Sequence, residues 1–578
     1  MTSKSHTSGA ELTPEQILEN LDPEQRQAAE RLVGPVCILA GAGTGKTRTI
    51  THRIAYGIAK GVFTPTRVLA LTYTNRAAGE LRARLRAMGV PAVQVKTFHS
   101  AALSQIEFFW PQFAGVPAPQ VIESKSRYIT LAADTLKLQL DAAATRELAS
   151  EIEWRKFSML DLDAYRDVVE TRGMVGGLSP AKNLELQQAY EQLKVRDQKI
   201  DWEDVLVLCL GLLRAEPRAL EHVRAQYRFF TVDEYQDISP LQHALLDEWL
   251  GTRDDLCVVG DPNQTIYSFT GASSRFLRSF QTRFDDVEVV ELVRNYRSTA
   301  SIIQFANSAI RTQNSMSELQ AAGSQSDADA QSVSNESNGA TVRSFGSIEE
   351  EYGWLANEIR RKVAQGIPAS QIAVLYRING QSEAVESALG RLSVDYQVRG
   401  GERFFSKPEV LQALQHLRAE AISPSGRPTF QVLSDIVRSL GWQSQAPEAA
   451  GVARDRWETL NSLLGILEEV DPKISVADFV SELEERKRSQ HEPTKAAVTL
   501  STIHAAKGLE WDHVYVVGAT EGYLPINYAK TDEQIAEEQR LFYVAVTRAR
   551  KSLTISYSMQ DAFGRVNQPS RFLVRPQD

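Results

Sequence analysis

At 578 residues the chain is longer than one hydrophobic core supports, which predicts several compact units. Hydrophobic residues at 43% and charged residues at 24% have the balance of a soluble globular protein, and no apolar run reaches the roughly 20 residues that cross a bilayer, which excludes a membrane-spanning protein. A formal charge of −9 excludes a generally basic coat, so any contact with nucleic acid must be local.

The polar start, MTSKSHTSGAELTPEQ, lacks the apolar centre of a secretory signal. Cys37, Cys209 and Cys257 are far apart inside apolar runs, which suits buried thiols rather than a zinc site or disulfide framework. A cytoplasmic location is the expectation.

In the first hundred residues short apolar runs alternate with helical patterns: VCILA from Val36, RVLALT from Arg67, VQVKT from Val93. That alternation predicts a parallel sheet. AGAGTGKT, Ala40 to Thr47, follows the first run and precedes the helical RTITHRIAYGIAK, the setting a phosphate-binding loop requires. Gly41, Gly43 and Gly45, with Ala42 and Thr44 between them, let backbone N–H groups converge on phosphate. Lys46 puts a cation on the β- and γ-phosphates and Thr47 offers a hydroxyl to Mg²⁺. Ala40 stands where the usual pattern has its first glycine.

Residues 101–200 read as mainly helical, with heptad-like spacing in LELQQAYEQLKV. The sheet pattern resumes at RFFTVDE from Arg228 and DLCVVGD from Asp255. TVDEYQD ends a strand in adjacent carboxylates, with Asp233 suited to hold Mg²⁺ and Glu234 to orient or deprotonate an attacking water. Residues 312–340 are rich in Ser, Gln, Asn and Asp and predict a flexible surface loop. A second α/β pattern follows in IAVLYR from Ile372, AVTLSTIH from Ala497, HVYVVGA from His513 and SLTISYS from Ser552. Residues 404–497, broken by SPSGRP, form a helical stretch inside it.

With these elements in place the chain resembles the UvrD/Rep/PcrA helicases of superfamily one. The motifs that carry the resemblance run in order along almost the whole length: LDPEQ, AGAGTGKTR, LALTYTNRAAGEL, TFHS, DEYQD, VGDPNQTIYSFTGA, RNYRS, TIHAAKGLEW and YVAVTRAR. The resemblance implies an α/β fold of two RecA-like P-loop NTPase cores with parallel sheets, each interrupted by a mainly helical insert. The first core takes residues 1–100 and 201–295 with its insert at 101–200; the second takes 296–403 and 498–578 with an insert at 404–497, shorter than the family's.

The resemblance also implies site residues. Gln25 reads the adenine edge, a role compatible with the capping box that Asp22 to Gln25 spells, while Arg48 and Tyr296 pack on the two faces of the base. Glu510 contacts ribose, Gln264 senses the γ-phosphate, and Arg297 and Arg548 act as arginine fingers from the second core. Tyr73, Trp202, Tyr267 and Phe269 match aromatic positions that contact single-stranded DNA, and His99 and His504 match positions near the DNA or the coupling region. Thr74 and Asn75 can donate to phosphate. The family's usual Trp is Phe269 here, and the Arg that commonly follows it is Thr270.

The implied activity is an ATP-dependent 3′-to-5′ DNA helicase that uses Mg²⁺ and acts on single strands and single-strand/duplex junctions in repair or fork maintenance. A translocase that strips proteins from single strands is the alternative, motivated by the short second insert. A DNA-binding regulator with a decayed ATPase is disfavoured by the intact Lys46, Asp233, Glu234, Arg297 and Arg548.

Overall fold

The computed structural model describes residues 12–310, 317–322, 339–399, 405, 407–443, 474–489, 497–561 and 564–573, with parts of 457–470. The chain divides into two compact units, Met1–Arg294 with Ser315–Glu318, and Asn295–Asn314 with Leu319–Asp578.

The first unit is built on six parallel strands in the spatial order Gln94–Thr97, Val68–Thr72, Phe229–Val232, Leu256–Gly260, Val36–Ala40, Glu288–Leu292. Strand side chains alternate between faces, so each inner strand feeds two cores. Cys37, Leu69, Leu71, Val232 and Val258 join the cluster that helices Phe98–Ala114, Trp202–Ala215 and Pro240–Leu250 cover. Ile38, Val68, Ala70 and Val259 join the opposite cluster, under helices Lys46–Ala59 and Asn75–Ala87. Burial on both faces explains why these strands read as unbroken apolar runs.

The helix Phe98–Ala114 crosses the expected boundary at residue 100. Its Phe98, Ile106 and Phe109 pack into the sheet's own core. Helices Lys125–Thr135, Ala142–Phe157 and Pro180–Arg196 instead close a separate core of Ile129, Leu148, Ile152, Leu186 and Tyr190.

The second unit has six parallel strands in the order Gly339–Phe345, Ala549–Ser558, Trp511–Val516, Ile372–Tyr376, Val498–Thr502, Tyr396–Arg399. Val374, Tyr376, Val498 and Leu500 pack on helices Ile348–Ala364 and Ser382–Arg391. Helices Pro408–Ile422, Thr429–Ser439 and Val476–Ser489 gather around a core of their own that includes Leu414, Leu433 and Phe479.

Part of the stretch expected to be a flexible loop is ordered. Leu319 is buried, its N–H donates to Asn307 Oδ1 at 3.0 Å, and its carbonyl accepts from Asn307 Nδ2 at 2.9 Å. Gly339 and Ala340 already belong to an edge strand. Residues 312–316 and 323–338 of that expectation lie outside the described residues. Among the described residues no helix is long and apolar enough to cross a membrane.

Candidate nucleotide and nucleic-acid sites

The first unit presents a candidate phosphate cradle at the carboxyl ends of its inner strands, where open α/β sheets place ligands. Strand Val36–Ala40 ends in a loop whose Gly43 and Gly45 adopt φ of 71° and 85°, and helix Lys46–Ala59 starts with no side-chain cap. The first turn of a helix has N–H groups without intrahelical acceptors, and here that turn directly follows the glycine loop. Lys46 Nζ donates to the Ala40 carbonyl at 3.3 Å, and Thr44 Oγ1 to the Gly41 carbonyl at 2.9 Å.

Gln25 is buried under this loop and does two jobs. Its backbone N–H donates to Asp22 Oδ1 at 2.7 Å within a complete capping box, and its Nε2 donates to the Thr44 carbonyl at 2.9 Å. The helix Pro23–Glu30 is thereby tied to the phosphate loop. Arg48 lies exposed on the first turn and donates to the Asn20 carbonyl at 2.6 Å.

Two further strands end in carboxylates beside the loop. Asp233 follows Phe229–Val232, and burial and Glu234 raise its carboxyl to about 7 against the pull of Lys46. Asp261 follows Leu256–Gly260, and burial raises it too, again against Lys46. Glu234 holds φ at 53°, a left-handed conformation that costs a non-glycine residue about 1 kcal/mol or more.

A hydrogen-bonded relay leads away from Glu234. Gln236 Nε2 donates to Glu234 Oε2, the Asp261 N–H donates to Gln236 Oε1 at 3.0 Å, and Gln264 Nε2 donates to Asp261 Oδ2 at 2.7 Å. Gly260 is required at this crossing, because a Cβ there would meet Gln236 Oε1 at 2.6 Å. Reading the sequence found the two ends, Glu234 and Gln264, and missed Gln236 and Asp261. The available signal was that Asp261, like Asp233, is a carboxylate ending a buried strand.

The second unit gathers the other expected catalytic groups around Glu510. Arg297 Nε pairs with Glu510 Oε2 and Arg550 Nη2 with Glu510 Oε1. Burial raises the Glu510 carboxyl, but Arg297 and Arg550 outweigh it and hold the group below its usual range. Arg548 is buried beside them and donates to the Val544 and Leu509 carbonyls, each at 3.0 Å. Arg550 was missed by the sequence reading. Glu510, expected at ribose, here bridges two arginines, and Tyr296 stands 54% exposed.

The expected base-contacting aromatics fall into two groups in the first unit. The Tyr73 and Tyr267 rings stack at 5.4 Å, and Phe269 meets Tyr267 edge-on at 6.1 Å with half its surface exposed. Thr270, where the family commonly has Arg, donates its hydroxyl to the Tyr267 carbonyl at 2.8 Å and so fixes the turn that presents Phe269. Trp202 is 49% exposed, and its ring lies 6.1 Å from His99, which also meets Phe157 at 6.1 Å. Phe157 was not foreseen. Burial and Lys125 lower His99 to about 4, so it is neutral at neutral pH, and its Nε2 has no hydrogen-bond partner among the described residues.

Thr74 caps helix Asn75–Ala87 by accepting from the Ala77 N–H at 3.1 Å, which leaves its hydroxyl proton available to donate outward. His504 belongs to the second unit, where burial, Arg377 and Lys507 lower it to about 3.

Matches to known proteins cover both units. The UvrD/REP helicase N-terminal domain matches residues 21–285, and the UvrD-like helicase C-terminal domain matches residues 290–446 and 427–560. The chain is 41% identical over 590 residues to the ATP-dependent DNA helicase UvrD2 of Mycobacterium tuberculosis, covering 97% of this chain and 82% of the relative. It is 26% identical over 657 residues to the ATP-dependent DNA helicase PcrA of Bacillus subtilis, covering 97% and 86%. With both family domains matched in order over most of its length, the chain belongs to the UvrD-like helicase family.

Proposed function

We propose that this UvrD-like helicase is an ATP-driven motor that moves 3′ to 5′ along single-stranded DNA and separates duplexes at single-strand junctions. One observation carries the coupling of ATP to DNA. Glu234, Gln236, Asp261 and Gln264 form one hydrogen-bonded chain, and Gln264 lies three residues before Tyr267 on the segment that presents Phe269. A shift of Gln264 toward or away from a γ-phosphate is therefore felt at the aromatic turn.

In this reading the loop 40–45 and Lys46 bind the ATP phosphates, Gln25, Arg48 and Tyr296 take the base, and Glu234 orients the attacking water. Mg²⁺, when bound, neutralises charge on the β- and γ-phosphates, and the Thr47 hydroxyl with the Asp233 carboxylate is a donor set that suits its preference for oxygen ligands and retained water. Arg297 and Arg548 steady the charge that develops on the γ-phosphate, and Glu510 releases Arg297 for that task while reaching ribose. Tyr73, Tyr267, Phe269 and Trp202 stack on bases without reading sequence, with Thr74, Asn75, His99 and His504 beside the track. The polarity, a role in repair or fork maintenance, and a cytoplasmic setting are carried over from the resemblance to UvrD/Rep/PcrA helicases.

The test is ATP turnover with and without single-stranded DNA. Stimulation by DNA is expected, and Lys46→Ala should abolish turnover while DNA binding persists. Turnover indifferent to DNA would sink the proposal. The short helical stretch between Pro408 and Ser489 favours a second reading, a translocase that strips proteins from single strands. Stimulation without strand displacement would select it.

A further inference from the structure

The base platform at Trp202 is bracketed by acidic residues whose carboxylates do not face solvent. Asp201 is the N-cap of helix Trp202–Ala215: its side chain accepts from the Asp204 N–H at 2.9 Å, and Asp204 accepts from the Asp201 N–H at 3.0 Å. Trp202 is the first residue of that helix, so this reciprocal cap sets the direction in which its ring leaves the backbone.

Asp201 is itself gripped from the helical insert. One oxygen, Oδ2, accepts from Lys156 Nζ at 2.6 Å, from Lys194 Nζ at 2.9 Å and from the Tyr190 hydroxyl at 2.9 Å. Asp201 is 1% exposed, Lys194 2% and Lys156 5%, so these are interior ion pairs rather than surface ones. Lys156 Nζ also reaches Asp204 Oδ1 at 2.6 Å. Burying charges in this way costs solvation that the pairing barely returns, and its best-attested benefit is a fixed register between elements.

The same insert helix touches the other platform. Phe157, next to Lys156, lies edge-on to His99, and a Cβ on Gly271 would meet Phe157 Cβ at 3.2 Å, so the turn carrying Phe269 abuts this helix end. The last turn of Ala142–Phe157 therefore reaches the Trp202 group through the Lys156 charge and the Phe157 ring, and adjoins the Phe269 turn at the Phe157 Cβ.

We infer that Lys156 is a positioning residue for single-stranded DNA, holding Trp202 through Asp201 while its neighbour Phe157 sets the distance to the Phe269 turn. This rests on the reading of Trp202 as a base platform. Lys156 touches neither DNA nor nucleotide in this role and acts only by fixing where Trp202 stands.

The experiment is the concentration of oligo-dT that half-saturates ATPase stimulation, measured for the full chain and four variants. Trp202→Ala should raise it about tenfold, the scale of one lost base stack. Lys156→Met should raise it about fivefold with DNA-free turnover unchanged, and Lys156→Arg should restore it, since the second cation beside Lys194 returns to Asp201. The double variant Trp202→Ala with Lys156→Met should be no weaker than Trp202→Ala alone, because a positioning residue has nothing left to position.

A Lys156→Met value within twofold of the parent, with Trp202→Ala weakened, overturns the inference and leaves the platform reading standing. Losses that multiply in the double variant overturn it too. An unchanged value for Trp202→Ala overturns the platform reading, and the inference with it. Should Lys156→Met fail to fold, Tyr190→Phe removes one neutral donor to the same oxygen and takes its place, with a rise of about twofold expected and no rise counting against the inference.

Discussion

Gly45 shows how closely the phosphate loop is fitted to its support. At φ 85° a side chain is strained, and a Cβ would stand 2.7 Å from Gln25 Nε2, so alanine disturbs both the loop and the residue that braces it. Gly45→Ala is expected to lower nucleotide affinity about tenfold, in line with the 1–3 kcal/mol of such strain, in titration with a fluorescent nucleotide. An unaltered affinity would contradict the bracing role of Gln25. Gln236→Leu removes the side-chain hydrogen bonds to Glu234, Asp237 and the Asp261 N–H, and a loss of about tenfold in DNA-stimulated turnover is expected while nucleotide affinity holds.

His513 gives a pH dependence. Burial and Lys362 lower it to about 4, and its Nδ1 lies 3.0 Å from Lys362 Nζ, so the folded protein keeps it neutral while the unfolded chain protonates near 6.5. A depressed histidine means the unfolded state binds more protons, so stability is complete above about 6.5 and is lost as pH falls toward 4. Thermal unfolding followed from pH 7 to 4 should show this loss, and His513→Asn should reduce it by about 1.4 kcal/mol per pH unit at most. At this scale Lys46, Asp233 and Glu234 were legible because a glycine loop and strand-ending carboxylates announce themselves locally. Asp261 carried the same strand-end signal, whereas Gln236, Phe157 and Arg550 did not, because their partners are supplied by folding.

Among elements, position in the sheet decides much of the legibility, although the edge strand Gln94–Thr97 was read as well. Val36–Ala40, Val68–Thr72, Leu256–Gly260 and Ile372–Tyr376 lie inside their sheets and read as apolar runs. Glu288–Leu292, Gly339–Phe345 and Tyr396–Arg399 are edge strands, partly exposed, and carry no such run. The helical insert was visible as a helical stretch, but only packing shows that Phe98–Ala114 serves the sheet while Lys125–Arg196 closes a core of its own. That separation predicts independent loosening. Leu148→Ala, at a fully buried position, should cost about 2–5 kcal/mol and raise amide exchange across the insert helices while leaving Val36–Ala40 protected. Exchange rising equally in the sheet would show that the two cores are one cooperative body.

At the scale of the molecule, the two parallel sheets carry different side chains. The first unit carries the phosphate loop, the carboxylates and the aromatic turns; the second carries Arg297, Arg548 and the glutamate that holds Arg297. Two such units were legible from the alternation of strand and helix patterns on either side of residue 300, and the ordered motifs supplied the family. Direction of travel has no local residue signature, because no single side chain encodes a cycle of ATP binding and release. The most direct measurement is ATP-dependent strand displacement from duplexes that differ only in carrying a 3′ or a 5′ single-stranded tail. The account predicts displacement from the 3′-tailed duplex, abolished by Lys46→Ala; displacement from the 5′-tailed duplex alone would contradict it.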